Sequence, residues 1–554
     1  MRGTMGNEHV LAIDLGTGGP KAALVDRSGR ITANEFEPTP LELLGDGAAE
    51  QDPDAWWDAI TRAVRRVVDG GGVPADEIVA VSVTSQWSGT VAVDDVGHHL
   101  YPAVIWMDSR GAPYVHDLVS ARVNVAGYHP LRLKAWIQKT GGIPSHSGKD
   151  PIGHILWLRH ERPDVYRATR YFLEPCDYLN ARLTGRICAS YDSIVAHWLT
   201  DNRDLSNVVY DAELLALCGL QESQLPPLVP SASVVGEVLA DVAADWGLAP
   251  GTKVVTATGD VHSAVVGSGA LGDFEGHLYM GTSSWLSCHL PTKRTDLLHN
   301  QAALPSAVPG RYFLANEHEV GGGALLWLRD QAGMVRDLDE ANELAAAAPA
   351  GSNRVIFTPW LNGERTPVDD HTIRGGWNNL SLTTDRADLV RSVFEGVAYN
   401  SRWLLDVVEK FVKRPLDGLN FIGGGATSDL WCQIHADVCD RVIRRRRLRG
   451  LARPGPADPR RAEQGRHHRR GVPPRSHGPR HLRPALPGVP EDLQGQQGHP
   501  RPPQRLTPAT APLAAGTVRP GSRDGRSREP GGWLWASSRR SRTARRSGCT
   551  TVRC

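Results

Sequence analysis

The sequence predicts an α/β protein of two lobes that begin alike, and three observations carry that reading. Apolar runs of period 2 alternate with runs of period 3.6 as far as residue 443, the pattern of strands and helices in mixed lobes. A hairpin bearing a Gly-Thr turn occurs twice, around Gly16-Thr17 and around Gly281-Thr282, which reads as internal duplication. Lastly, 554 residues exceed what one hydrophobic core usually serves, and a hydrophobic content of 40% is ample to bury two.

In chain order, residues 10–26 read as a strand, a Gly-rich turn over 16–19 and a second strand, because apolar runs flank the glycines on both sides. A helix is predicted over 56–68, strands over 78–83 and 90–93, and a further helix over 155–160. Ala249-Pro250-Gly251 is rich in helix and strand breakers and sets the expected boundary, with a first lobe over 1–249 and a second over 250–443. The second lobe opens on a strand at 254–258 and repeats the hairpin at 278–288. A helix over 389–409 follows, then a strand, a Gly-rich turn at 423–425 and a helix over 430–438.

The net charge of +1 conceals an asymmetry. Residues 444–554 hold 26 Arg, no Lys and six acids, or +20, against 36 basic and 55 acidic residues before them, or −19. A basic tail of that kind usually serves nucleic acid or a membrane surface. Composition supplies a different account: the tail contains no Phe, Tyr, Met, Ile, Asn or Lys, the residues of AT-rich codons, while Arg, Pro, Gly, Ala and Ser dominate. Reading a GC-rich gene out of frame produces that bias, so residues 444–554 are expected to be an out-of-frame, disordered segment. The alternatives are a genuine basic low-complexity arm, on which any nucleic-acid binding would rest, and a folded domain. On the first account the second lobe is cut short after Ile443, leaving an uncovered sheet edge.

No run approaches the roughly 18 apolar residues of a membrane span, and the first residues lack the apolar core of a secretory signal, so no membrane partner and a cytoplasmic location are expected. Eight cysteines without a CxxC pair suit reduced thiols rather than disulfides or zinc. A homodimer is left open.

Four glycine-bearing turns carry the chemistry. Asp14-Leu-Gly-Thr-Gly-Gly-Pro-Lys21 offers backbone amides at Gly16, a hydroxyl at Thr17 and a cation at Lys21, a set that suits a polyphosphate because glycine lets N–H groups approach oxygen closely. The spacing is not that of a P-loop, and the context is strand to strand. Asp14, ending an apolar strand, suits a water-mediated Mg²⁺ contact, with a turn-capping role as the alternative. Gly281 and Thr282 repeat the turn. Gly322, within Gly321-Gly322-Gly323, opens a helix where N-terminal amides would meet an anion. Gly424 and Gly425 precede Asp429 at the start of another helix, where amides would approach a nucleotide; tight packing is the bland alternative for both clusters.

Taken in order, these turns resemble the FGGY family of carbohydrate kinases over about residues 9–443. The resemblance includes Glu50-Gln51-Asp52-Pro53, Trp106-Met107-Asp108-Ser109-Arg110, the run Pro359-Trp-Leu-Asn-Gly-Glu-Arg-Thr-Pro367, and Gly375-Gly376-Trp377 followed by Phe394-Glu395. It implies two actin-like (ribonuclease H-like) lobes around a central cleft, ATP and Mg²⁺ as cofactors, and a small sugar or polyol as the second substrate. By the same resemblance Asp260 is the catalytic base and also touches the acceptor. His154 stands where the family has Lys, and Asn379 where a Gly is usual.

In xylulose kinases the segment matching Ser85-Gln86-Trp87-Ser88-Gly89 usually reads Gly-Gln-Met-His-Gly, so Gln86, Trp87 and Ser88 are candidate acceptor contacts of altered chemistry. Asp108 and Arg110 line the same cleft or pair with each other. The Arg-Glu pair that glycerol kinases place here is missing, which disfavours glycerol. Overall resemblance favours a pentulose such as xylulose. A non-catalytic actin-like nucleotide-binding protein and an inactive truncated kinase are the competing readings.

Overall fold

In the computed structural model, the residues described are 7–125, 127–445 and, for the backbone, 471–472. The predicted tail, with Cys549 and Cys554, otherwise lies outside them. The first lobe is built on a seven-stranded sheet. Its strands are β1 (His9–Gly16), β2 (Gly19–Asp26), β3 (Ile31–Phe36), β4 (Ile78–Ser85), β5 (Val234–Glu237), β6 (Lys253–Val255) and β7 (Thr258–Gly259). Their order is β5-β6-β4-β1-β2-β3, with β7 also against β4. β1 and β2 form the predicted hairpin, and β1 runs parallel to β4.

The second lobe repeats this plan in five strands, β8 (Gly276–Met280), β9 (Ser284–Ser287), β10 (Gly418–Ile422), β11 (Val442–Arg445) and β12 (Gly471–Val472), ordered β9-β8-β10-β11-β12. Here β8 and β9 make the hairpin and β8 runs parallel to β10, so the two halves share a hairpin and a parallel neighbour of its first strand. The edge predicted to be uncovered is paired: β12 lies antiparallel to β11, with Ile443 opposite Val472.

Helices cover both sheets through apolar faces. α1 (Pro53–Gly70) buries Trp56, Ala59, Ile60, Ala63, Val64 and Val67, spaced three and four apart, against the first sheet. Its start is set by Pro53 at N1 and by Asp52, whose carboxylate accepts from Asp54 N at 2.9 Å. α2 (Pro151–Glu161) follows in the same lobe, and α3 (Asp260–Gly267) begins directly after β7. In the second lobe are α4 (Gly323–Asp330), α5 (Arg386–Val412) and α6 (Asp429–Cys439). A reciprocal capping box between Asp385 and Asp388 starts α5, whose Val393, Phe394, Val397, Leu404 and Val408 run through the core.

The strand expected over 254–258 is broken. Val254 pairs with Val81 and Thr258 with Thr84, so four steps on one strand span three on the other and one residue bulges at 256–257. The strand expected over 90–93 is Val91–Val93, with Thr90 bridged singly to Val104. All six described cysteines are buried free thiols. Among the described residues no helix is long and apolar enough to cross a membrane.

Candidate active site

Period-2 alternation builds the first turn. Leu11, Ile13 and Leu15 are buried on one face of β1, which puts Asp14 on the other, opposite Lys21 of β2. Lys21 Nζ lies 3.0 Å from Asp14 Oδ2, and 39% of the aspartate side chain is open. Thr17 Oγ1 donates to Gln86 Oε1 at 2.8 Å and accepts from Trp106 Nε1 at 3.0 Å. Gln51 completes the lock: its Nε2 donates to the Thr17 carbonyl at 2.9 Å and its Oε1 accepts from Gln86 Nε2 at 2.7 Å. The Thr17 hydroxyl is thus engaged within the protein, and Asp14, Lys21 and exposed Gly18 are the open groups of the turn.

Gln86, Asp108 and Arg110 are engaged within the protein, and Asp108 and Arg110 pair with each other, one of the two arrangements the sequence allowed. Gln86 is 2% exposed and its amide is satisfied at both ends. Asp108 Oδ2 accepts from Ala49 N at 2.9 Å and Arg110 Nε at 2.8 Å, and Arg110 Nη2 reaches Glu50 Oε1 at 2.5 Å. The guanidinium lies 3.6 Å from the centre of the Trp157 ring, so this cluster is a rigid wall. His154, on α2, lies beside it with Nδ1 at 3.1 Å from Thr90 Oγ1; burial pushes its imidazole down to about 4, and a neutral ring fills the place of the family's lysine. Ser88 Oγ donates to the Lys149 carbonyl at 3.2 Å.

Asp260 is the first residue of α3, and its Oδ1 accepts from Val261 N at 2.8 Å. The residue is exposed, and it lies close to the first turn because Asp14 of β1 and Thr258 of β7 both pair with Thr84 of β4. Desolvation by the surrounding protein, then the Asp14 carboxylate, push its carboxyl up to about 7, with Glu317 of the second lobe adding to the effect. The Tyr279 hydroxyl on β8 is raised by burial and then by Asp260 and Asp14.

The second lobe brings its three glycine clusters together. Gly321 N and Gly323 N donate to the Thr282 carbonyl at 2.8 and 3.0 Å, and Gly322 N to the Gly281 carbonyl at 2.7 Å. A Cβ on Gly322 would stand 2.6 Å from the Gly281 oxygen, so only glycine lets the start of α4 lie on the hairpin turn. Gly423 has φ +91° and would meet the Met280 oxygen at 2.4 Å, and Gly425 would meet Met280 Cγ at 2.4 Å. Gly424, by contrast, faces open space. Asp429, 86% exposed, opens α6 and pairs with Arg445. The result is a shelf of bare backbone beside the cleft.

A cavity of about 340 Å³ is lined from both lobes, by Trp87, Trp198 and Val261, the residue after Asp260, and by Phe313, Glu317 and Arg365. Trp87 Nε1 donates to the Ser193 carbonyl at 3.0 Å, and the ring packs edge-on against His262 at 5.1 Å. His262 is buried behind the wall, neutral, with its imidazole pushed down to about 4 by burial, consistent with packing rather than catalysis. Arg365 is held at 2.6 Å by Glu317 and also by Glu319. Sequence reasoning assigned no role to Glu317, Phe313, Trp198 or Arg365. The signal for Arg365 was present in the run from Pro359 to Pro367; Glu317 shows only as one of two acids directly after the apolar strand Tyr312–Ala315.

Two lobes that each open on a hairpin, closing on a cleft with a carboxylate at its floor, define the two-lobed sugar kinase fold. A xylulose kinase structure from Rhodospirillum rubrum superimposes with a TM-score of 0.70 at 26% identity, covering 80% of this chain and 87% of that one. Residues 9–267 match the N-terminal domain, and residues 276–448 the C-terminal domain, of the FGGY family of carbohydrate kinases, and the chain belongs to that family. It is 29% identical over 458 residues to a xylulose kinase of Staphylococcus epidermidis, covering 80% of this chain and 85% of that protein. It is also 24% identical over 455 residues to a gluconokinase of Bacillus subtilis, covering 78% and 83%. The chain is accordingly a carbohydrate kinase, of a family that uses ATP.

Proposed function

We propose that this chain transfers the γ-phosphoryl group of ATP to a hydroxyl of a small uncharged sugar or polyol, a pentulose such as xylulose, with Asp260 as the base. The observation that carries the reading is the place of Asp260: it opens α3 directly after β7, whose Thr258 pairs with the same Thr84 as Asp14 of the first turn, and its neighbour Val261 lines the cavity. Its carboxylate accepts the proton of the acceptor hydroxyl as that oxygen bonds to the γ-phosphorus and the bond to the ADP oxygen breaks. A carboxyl held near 7 is suited to take up a proton at neutral pH and release it after transfer.

Gly424, which faces open space, and its neighbours at 423–425 hold the nucleotide through backbone N–H groups, the 281–282 and 321–323 turns are hydrogen-bonded to each other beside them, and Lys21 and the first turn face its phosphates. Asp14 fits Mg²⁺ through water, since two carboxylates share the cleft and Asp14 has one cation, Lys21, beside it. When bound, that ion would neutralise phosphate charge. Trp87 presents an aromatic face to the apolar side of the acceptor, while the inward-facing Gln86, Asp108 and Arg110 hold the wall in place. Arg365 is the cation among the cavity's lining residues, and two carboxylates already occupy it. An acidic cavity with no free cation favours a neutral acceptor over a sugar acid such as gluconate.

A coupled ATP-consumption screen across pentuloses, polyols and sugar acids tests this. The expected result is turnover with a pentulose at kcat/KM at least tenfold above gluconate. Turnover confined to sugar acids, or ATP binding with no turnover of any acceptor, would overturn it.

A further inference from the structure

We propose that Asp192 is a positioning residue for phosphoryl transfer, fixing the bulged strand end that presents Asp260; this rests on Asp260 being the base. The bulge at 256–257 interrupts the ladder to β4 between Val254 and Thr258, where pairing resumes, so the path across the break is set by other contacts. Thr256 N donates to the Ser233 carbonyl at 2.8 Å and Thr256 Oγ1 accepts from Ser233 N at 3.2 Å, and three contacts fix 257–258. Asp192, 1% exposed, accepts from Thr258 Oγ1 on its Oδ2 at 2.5 Å and from Ser231 Oγ on its Oδ1. Ser190 Oγ donates to the Ala257 carbonyl at 2.9 Å, and Thr84 Oγ1 donates to the Thr258 carbonyl at 2.9 Å.

The same turn carries the cavity wall. The Ser193 carbonyl accepts from Trp87 Nε1 at 3.0 Å, and Ser193 Oγ donates to Asp177 Oδ2 at 2.8 Å. Base and acceptor wall thus hang from one four-residue turn, 190–193, and their separation is set by it. A carboxylate in this place gives short charge-assisted bonds to two hydroxyls, stiffer than a neutral side chain would make. Burying that charge contributes little net stability, which points to geometry as its role. Small displacements of a reacting group are costly: about 1 Å reduces rate on the order of a hundredfold.

The experiment compares the full chain with Asp192→Asn, Thr258→Val and Thr258→Ser, reading kcat, KM for ATP, Tm, and the titration of Asp260. That titration is followed by NMR of carboxyl-labelled aspartate and assigned with Asp260→Asn; the groups facing Asp260 are Asp14, Glu317 and the Val261 amide. Asp192→Asn and Thr258→Val are expected to lower kcat about ten- to a hundredfold. KM for ATP should stay within about twofold, and the Asp260 titration should move away from about 7. Thr258→Ser, which keeps the hydroxyl, is expected to retain both wild-type values. Unchanged kcat and titration in the first two variants, or losses that follow Tm in all three, overturn the proposal. If the unaltered chain turns over no acceptor, the function reading fails, and the titration by itself decides for or against Asp192.

Discussion

At the scale of single residues, the proposed base Asp260 carries the sharpest test. Asp260→Asn keeps the shape and removes the base, so kcat is expected to fall on the order of 10²- to 10⁴-fold with ATP affinity preserved, measured by steady-state kinetics and calorimetry. Because only the ionised form accepts a proton, kcat/KM for the acceptor should rise with pH through about 7 and then level off, and a profile flat from pH 5 to 9 would count against the assignment. Stability moves the other way. The carboxyl is raised above its unfolded value near 3.8, so the folded state holds the proton more tightly; that contribution is complete below the unfolded pKa and is lost as pH rises toward 7. Asp260→Asn should therefore raise Tm relative to wild type at pH 8 and not at pH 4, a gain in stability accompanying the loss of activity. Trp87 gives a separate test: Trp87→Ala should raise KM for the acceptor at least tenfold and leave KM for ATP within about twofold, since the ring lines the acceptor cavity and lies apart from the glycine shelf.

The elements themselves act through bare backbone. Neighbouring glycines in the third cluster have opposite surroundings, and that contrast makes a sharp prediction. Gly423→Ala combines a positive φ with a Cβ only 2.4 Å from the Met280 oxygen, so it should cost at least about 1 kcal/mol of stability and disturb the hairpin turn beneath. Gly424→Ala meets nothing within 4 Å, so Tm should hold while ATP affinity falls, because the added methyl stands where a nucleotide would lie. Differential scanning fluorimetry with and without ATP distinguishes the two; equal affinity for wild type and Gly424→Ala would remove this shelf from the nucleotide site. Elements also show where local reading stops. Period-2 alternation identified β1, β2 and β4, and the apolar repeat identified α1 and α5. The break between β6 and β7 could not be read, since Thr256 and Ala257 are ordinary strand residues and the bulge is held by Ser190 and Asp192 from a distant turn.

For the molecule as a whole, the question is what completes the second lobe. The family match extends to residue 448, and β11 carries one two-residue neighbour on its outer side, the backbone of Gly471–Val472. We propose that residues 444–554 are out of frame. Restoring the frame after Ile443 should then raise both Tm and kcat, because the family's closing strand and helix would extend the sheet beyond β11. Resequencing the gene near that codon, followed by comparison of the two purified chains, checks this; a 554-residue chain as stable and active as the restored one would contradict it. The nucleic-acid alternative rests wholly on residues outside the described part, and salt-sensitive DNA binding lost on deleting 444–554 would be its signature.

From the sequence alone came most of the elements, the duplicated hairpins and the family, because each depends on residues that are neighbours along the chain or on spacing within one turn; Asp260 entered through the family resemblance, since an Asp after a Gly is by itself more often a turn residue. Only the tertiary structure decided which polar groups are open. Gln86, Asp108 and Arg110 have suitable chemistry for an acceptor, but Thr17, Gln51 and Glu50 occupy them from other segments. Glu317 and Arg365, unassigned in the sequence, line the cavity because strands and loops far apart in the chain meet there. The physical reason is that hydrogen bonds and ion pairs are satisfied by proximity in space: a side chain's type records what it can bind, while its folded neighbours determine whether that capacity is still free.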